Sequence, residues 1–309
     1  MDSQKLPTHL GIVLAGGTGS RLYPASLATC KQLMPVFDKP MVYYPLSTLL
    51  SLGCTHILVI CNPQDHSTFV SLFSDSFARF GVRVVVAIQS KPEGIPQALS
   101  IAREVDFNTL EKLCPVRYTL ILGDNLFHVD PDILRQEVVS NQSYIYTIQV
   151  ANPSAYGVLT DSHPRIVEKP VDPPTRWAVT GLYSYPSSEL EKNLSSLKPS
   201  ARGELEITDF NNRCSTLHCV YLSPPCLWMD MGTPNDLLDA SNYVRAYEQR
   251  TGQLLGCPEL AAPVELDSSR RIRNLIGHLQ RLGENGYSSL TYYQQLLLQN
   301  ARTKLERMK

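Results

Sequence analysis

The chain has 309 residues, 43% of them hydrophobic and 18% charged, which is enough length and apolar content to bury a substantial core. Its net charge of −1 excludes a global pull toward nucleic acid or an anionic membrane surface, so any anion binding must be local. No stretch approaches the roughly 18 apolar residues needed to span a bilayer, and the opening Met-Asp-Ser-Gln-Lys-Leu-Pro-Thr has no apolar core of the kind a signal peptide needs.

Leu10, Ile12, Val13 and Leu14 form a short apolar run that predicts a buried strand. Gly16, Gly17 and Gly19 follow, then Arg21 and Lys31, with Pro24 and Pro35 interrupting any long helix. Glycines after a buried strand let the backbone approach a bulky anion. Arg21 offers a planar fork of donors for phosphate oxygens, and Lys31 adds a compact positive charge. A plain glycine turn between strand and helix is the competing reading. The stretch is neither a P-loop, since no Lys-Ser or Lys-Thr follows the glycines, nor a dinucleotide fingerprint, since Leu22 stands at the last glycine.

Further along, the pattern predicts a helix over 41–52, a strand over 56–61 and a helix over 68–80. A β-branched strand buried on both faces is expected over 82–89, a helix over 97–105 and a strand over 118–122. Such alternation argues for a parallel, doubly wound sheet. Ligands of these sheets sit beyond the carboxyl ends of the strands, where the glycine stretch, Gln89, Gly94 and Asp124 all fall. The second half is β-rich, with short strands over 144–150, 157–160, 166–167, 179–185 and 217–222, a mixed sheet with an insertion. Residues 203–212 and 236–250 read as helices, 252–264 as irregular, and 271–281 and 290–307 as two more helices. The expected division is a core over 1–233, with one half near 9–130 and a second near 143–233. A helical region over 234–309 serves packing and subunit contacts. The eight cysteines include no Cys-x-x-Cys pair, and Cys61 and Cys219 sit in apolar runs as small hydrophobes, pointing to a reducing cytoplasm without zinc or disulfides.

Asp124 ends the strand-like Leu120-Ile-Leu-Gly, and Asp230 follows another apolar run before Gly232. Either carboxylate could cap a turn; together, at two strand ends, they are the hard oxygen ligands that Mg²⁺ prefers. Gln89, polar at the end of an apolar strand, is either a solvated terminus or a carboxamide able to match the N3–H and O4 edge of thymine or uracil.

Gly-Gly-x-Gly-Ser-Arg-Leu-x-Pro followed by Lys31-Gln-Leu-Met-Pro resembles the signature of the sugar-1-phosphate nucleotidylyltransferases. The segment from Lys31 to Thr48 is similar to that of the glucose-1-phosphate thymidylyltransferases, and the likeness runs from about His9 to Thr291. It implies a Rossmann-like fold and the joining of glucose 1-phosphate to dTTP, with dTDP-glucose and pyrophosphate as products that feed deoxysugar synthesis. It also implies Mg²⁺ on Asp124 and Asp230, a homo-oligomer (tetramer or dimer), and no nucleic acid or membrane partner. By the same resemblance Leu14, Gly16, Gly17, Gly19, Gln89, Gly94 and Asp124 hold the nucleotide. Tyr156, Gly157, Glu168, Lys169, Val179, Tyr183 and Arg202 hold the sugar phosphate, and Arg21, Lys31 and Lys169 offset the charge of the reacting phosphates. A UTP-using relative and a non-catalytic sugar-nucleotide regulator are the alternatives; loss of Arg21, Lys31 or either aspartate would favour the regulator, and all four are present. The chain departs from the family pattern at Met231, where threonine is usual, at Glu93 and Pro96, and at Ala155, where arginine is common. It also lacks two basic residues and, after Glu259, the second of two carboxylates that the family pattern has in 224–228 and 257–263, the segments that in the family form a second nucleotide site. Feedback inhibition by dTDP-rhamnose is therefore expected to be weak and to act only by competition at the active site.

Overall fold

The structure is a computed structural model and describes residues 8–54, 56–73, 82–105, 115–135, 141–161, 165–201, 203–261, 268–284 and 291–308. Strand β1 (Thr8–Ala15) contains no Asp, Glu, Lys or Arg and sends alternate side chains into two cores, Val13 and Ala15 into one, Leu10 and Ile12 into the other. Beyond it the glycines and prolines permit only short 3-10 turns, at Ser20–Leu22, Ala25–Leu27 and Lys31–Leu33. A small hairpin, β2 (Pro35–Val36) and β3 (Lys39–Pro40), leads to helix α1 (Tyr43–Ser51). Next come β4 (His56–Cys61), α2 (His66–Phe73), β5 (Arg83–Ile88), α3 (Ile95–Glu104) and β6 (Pro115–Leu122). Strand β7 (Asn125–His128) and helix α4 (Pro131–Arg135) precede β8 (Ser143–Gln149), β9 (Gly157–Leu159), β10 (Ile166–Glu168) and β11 (Trp177–Pro186). Then follow α5 (Ser187–Asn193), α6 (Ile207–Asn211), β12 (Leu217–Leu222), β13 (Leu227–Asp230) and α7 (Pro234–Thr251). The chain closes with α8 (Pro258–Ala261), α9 (Ser268–Glu284) and α10 (Tyr292–Arg307).

Nine strands share one sheet in the order β10-β9-β11-β6-β1-β4-β5, with β8 joined to β11 and β12 to β8. Strands β1, β4, β5 and β6 run parallel, and β11 turns the sheet mixed by pairing antiparallel with β6 and β8. Strands β8 to β12 thus continue the first-half sheet, while β13 pairs with β7 apart from it. Helix α1 covers the face of Val13 and Leu182, while α3 and α6 cover the face of Leu10, Ile12 and Tyr183. No helix among the described residues is long and apolar enough to cross a membrane.

Several elements differ from expectation. Strand β5 is not buried on both faces: it closes the sheet with one neighbour, β4, and its β-branched side chains are half-buried, with Ile88 44% exposed. A run of valines fits an edge strand as well as a central one, because β-propensity reports a pleated surface and not its neighbours. The helix expected over 203–212 shrinks to Ile207–Asn211, since Leu205 bridges to Gly94 and Gly203, at φ +79°, donates its N–H to the Ser200 carbonyl in a turn. Helix α8 occupies part of the segment expected to be irregular. The helix over 68–80 is seen as His66–Phe73, and its expected remainder lies outside the described residues.

Two devices seat the C-terminal helices. Thr233 and Asp236 form a reciprocal capping box at the start of α7, which fixes that helix directly after β13. Lys39 of the small hairpin is buried against Glu248 of α7 at 2.8 Å, and Glu248 also accepts from the Leu255 N–H at 3.1 Å. Removing one partner of such a pair leaves an uncompensated buried charge.

At the opposite end of the sheet from the strand carboxyl ends, His9 lies 2.6 Å from the Thr119 hydroxyl, which reaches Ser184 at 2.7 Å; Arg117 donates to Ser184 at 3.0 Å. Burial, with the Arg117 charge, pushes the His9 pKa down to about 4. The unfolded chain binds a proton there near pH 6.5 and the folded chain does not, so stability falls as pH drops from about 6.5 to 4 and this contribution is flat below. The difference between wild type and His9→Gln in denaturant midpoint should therefore be pH-dependent, with wild type losing up to ~3 kcal/mol more across that window. A difference independent of pH would show that His9 does not titrate as described.

Candidate functional site

The nucleotide-side candidates gather at the carboxyl ends of β1, β4, β5 and β6. Gly17 and Gly19 take φ of +98° and +59°, conformations open to glycine, so the chain can double back after β1. Asn62, at the end of β4, braces this loop from below: its Nδ2 donates to the Gly17 carbonyl at 3.0 Å and its Oδ1 accepts the Gly17 N–H at 3.2 Å. Gln89, directly after β5, is 3% exposed and fixed by its own N–H donating to the Cys61 carbonyl at 2.8 Å. Leu14 meets the β6 end, its carbonyl accepting the Gly123 N–H at 2.9 Å. Gly94 has φ +109°, and a Cβ there would lie 2.1 Å from the Leu205 carbonyl oxygen, so this glycine joins the base side to the 203–205 loop.

The two aspartates meet through a strand pair of their own. Strands β7 and β13 pair antiparallel with Asp230 opposite Asn125, and the Met231 N–H donates to the Asp124 carbonyl at 2.9 Å. The buried Lys31 ammonium contacts Asp124 Oδ2, and the Arg21 guanidinium covers Gly232, where a Cβ would lie 2.7 Å from Nη2. Burial, then the Asp124 charge, pushes the Asp230 carboxyl up to about 6, with Lys31 and Arg21 opposing. Two neighbouring carboxylates, one of them in contact with a buried lysine, are chemically fit for a divalent cation. No group of three or more metal-ligating side chains exists among the described residues, so phosphates and water would complete a coordination shell.

The sugar-side candidates stand on the neighbouring strands. Glu168, at the end of β10, lies opposite Gly157 and accepts from the Thr208 hydroxyl at 2.6 Å; its Oε1 is 3.7 Å from Lys169 Nζ. Lys169 takes φ +42° and donates its N–H to the Tyr156 carbonyl at 3.0 Å. The Tyr156 ring packs edge-on against Trp228 at 5.1 Å, and burial, then the Asp230 charge, raises its phenol pKa, so it links the sugar side to the aspartates. Val179 and Tyr183 are buried in β11, Tyr183 stacked on Tyr185, and both belong to the hydrophobic core on the α3 and α6 face of the sheet. Arg202 lies outside the described residues.

Sequence reasoning passed over Asn62, Gln97, Trp228 and Thr208, and gave Asn125 no role. Asn125, 1% exposed, accepts from Trp228 Nε1 at 2.6 Å and from the Gly181 N–H at 3.1 Å, which leaves its Nδ2 to donate to Asp124 Oδ1 at 2.9 Å. Its position beside Asp124 was the available signal; its partners are long-range. Met231 is fully buried with Val36, Met41, Leu126 and Val244, so its side chain is part of the apolar core. The segments near Cys226 and Cys257 line one cavity of about 870 Å³, whose lining among the described residues includes a single arginine, Arg307, and no lysine.

Residues 10–246 match the family described as nucleotidyl transferase. The chain belongs to this nucleotidyl transferase family. It is 43% identical over 262 residues to a glucose-1-phosphate thymidylyltransferase of Actinoplanes sp., covering 82% of this chain and 83% of the relative. It is 44% identical over 261 residues to one of Mycolicibacterium smegmatis, covering 81% and 86%. Among solved structures, a Bacillus anthracis chain named as a glucose-1-phosphate thymidylyltransferase, solved with sucrose, superposes with TM-score 0.67 at 36% identity, covering 77% of this chain and 96% of that one. A UDP-glucose pyrophosphorylase shares the fold at TM-score 0.64 and 22% identity, covering 79% of this chain and all of its own.

For this nucleotidyl transferase, Met231→Thr, which restores the usual family residue, should cost about 2–4 kcal/mol of stability by emptying apolar volume and burying a hydroxyl. It should leave the turnover number no higher than in wild type. Denaturant melts and steady-state rates on the same preparation check both, and a faster enzyme would show that the threonine hydroxyl has a catalytic place here.

Proposed function

We propose that this nucleotidyl transferase joins glucose 1-phosphate to dTTP, giving dTDP-glucose and pyrophosphate. A phosphate oxygen of glucose 1-phosphate attacks the α-phosphorus of dTTP. The new P–O bond forms as the bond to the β-phosphate oxygen breaks, and pyrophosphate leaves with that electron pair. The attacking oxygen is already anionic, so no general base is required, and the obstacle is repulsion between the two phosphates. The observation that carries this reading is the convergence of Arg21, Lys31, Asp124 and Asp230 at the strand carboxyl ends, beside Glu168 and Lys169.

In this reading the glycine stretch and Leu14 seat the nucleotide, Gln89 reads the base edge, and Gly94 closes against it. Arg21 and Lys31 balance charge on the triphosphate, where preorganised cations are most effective. Lys169 takes the phosphate of the sugar, and Glu168, oriented by Thr208, takes its hydroxyls, with Tyr156, Gly157, Val179, Tyr183 and Arg202 around them. Mg²⁺ on Asp124 and Asp230 would supply charge neutralisation at the phosphates. The division into a nucleotide half over 9–130, a sugar half over 143–233 and a helical region over 234–309 belongs to the same proposal. So do a cytoplasmic, homo-oligomeric enzyme and a place in deoxysugar synthesis. The names of the relatives favour dTTP over UTP, whose base presents the same edge to Gln89.

Pyrophosphate release measured with a panel of nucleoside triphosphates against glucose 1-phosphate tests the proposal. Turnover should be fastest with dTTP and should require glucose 1-phosphate. Gln89→Glu sets an acceptor against the thymine O4 and should weaken dTTP binding by about 1–3 kcal/mol while leaving glucose 1-phosphate affinity near its original value. Equal losses for both substrates would remove Gln89 from base reading.

A further inference from the structure

We infer that Gln97 fixes which way the Gln89 carboxamide faces, and so makes the site select a keto pyrimidine over cytosine. This rests on the proposed reading of Gln89 as the residue that meets the base. Gln97 sits in the first turn of α3, and its side chain folds back toward the helix N-terminus. Its Oε1 accepts the Glu93 N–H at 3.0 Å, and its Nε2 donates to Glu93 Oε2 at 2.9 Å. A backbone N–H can only donate, so the Gln97 atom facing it must be the oxygen. That same Oε1 lies 2.6 Å from the Gln89 amide group. Two carboxamide oxygens cannot bond to each other, so Gln89 must present its Nε2 to Gln97. The polarity of Gln89 therefore follows, through one intermediate side chain, from a main-chain N–H that has no alternative.

With Nε2 turned to Gln97, Gln89 Oε1 lies over the glycine stretch, 2.5 Å from where a Cβ on Gly16 would stand, and takes no hydrogen bond from the described residues. Thymine and uracil offer an N3–H donor beside the O4 acceptor; cytosine offers an N3 acceptor beside an N4–H donor. A glutamine free to turn its amide over would satisfy either pattern. Held as it is, with Oε1 open and one Nε2 hydrogen left, it complements the keto pattern and sets acceptor against acceptor with cytosine. Gln97 is in this sense a positioning residue: it acts on the base through Gln89.

The test compares kcat/KM for dTTP and dCTP, each with glucose 1-phosphate, in the full-length protein. Gln97→Leu leaves Gln89 free to turn, and the dTTP-to-dCTP ratio should fall at least about tenfold, mainly through the nucleotide KM values, with the KM for glucose 1-phosphate within about twofold of wild type. The exchanged pair, Glu93→Gln with Gln97→Glu, keeps an oxygen facing both the residue-93 N–H and Gln89, and should hold the ratio near that of wild type. A purely structural role for Gln97 would lower both nucleotides alike and leave the ratio unchanged, which overturns the inference. Gln89→Leu separates the two levels of the argument. If it collapses the ratio while Gln97→Leu does not, Gln89 reads the base without help from Gln97. If Gln89→Leu leaves the ratio intact, the base reading itself fails and this inference falls with it.

Discussion

Two carboxylates far apart in sequence meet because the residues after Asp124 pair antiparallel with those that end at Asp230. Left alone, the pair would be unstable: burial and mutual repulsion raise the Asp230 pKa into the range where it begins to take up a proton. Lys31 contacts one carboxylate, Arg21 lies over the glycine after the other, and Asn125 turns its amide nitrogen toward Asp124 because its oxygen is already taken by Trp228 and Gly181. The arrangement fits the strongly charged ligand proposed for it, a nucleotide meeting a second substrate.

The rest of the fold delivers groups to that point from separate directions. Parallel strands bring the glycine stretch, Asn62, Gln89 and Asp124 to one rim, as their common direction requires. The antiparallel β11 then joins the later strands to the same sheet, so Glu168 and Lys169 arrive beside the aspartates through Tyr156 and Trp228. The capping box at Thr233 fixes α7 directly after the second aspartate, and Lys39 with Glu248 seats that helix on the hairpin ahead of α1. A chain with a net charge of −1 thus gathers Arg21, Lys31 and two aspartates at one end of its sheet.

The parallel half of the fold was legible because β1 and β4 are mostly apolar, with no Asp, Glu, Lys or Arg, and the glycines that follow β1 permit a tight turn of the backbone. Arg21 and Lys31, singled out after the glycines, and Asp124 and Asp230, singled out at the ends of apolar runs, are brought close together by the fold. What escaped was relational. Valines in β5 do not say that the strand has one neighbour, and residues 203–205 do not say that Leu205 bridges to Gly94. Asn125, Gln97 and Thr208 are ordinary polar residues in sequence and acquire roles from partners on other elements. Met231 looked like a loss at the site only until its side chain was found in the core.

The account stands on Asp124 and Asp230 acting as one unit on the reacting phosphates. Turnover numbers for Asp124→Asn, Asp230→Asn and the double variant, at saturating dTTP, glucose 1-phosphate and Mg²⁺, measure this directly. Each single change should lower kcat by about two to three orders of magnitude, and the double change should cost little more than the worse single one. Losses that multiply in the double variant would mean that the two carboxylates act independently, and near-normal turnover in either single variant would remove that carboxylate from the chemistry.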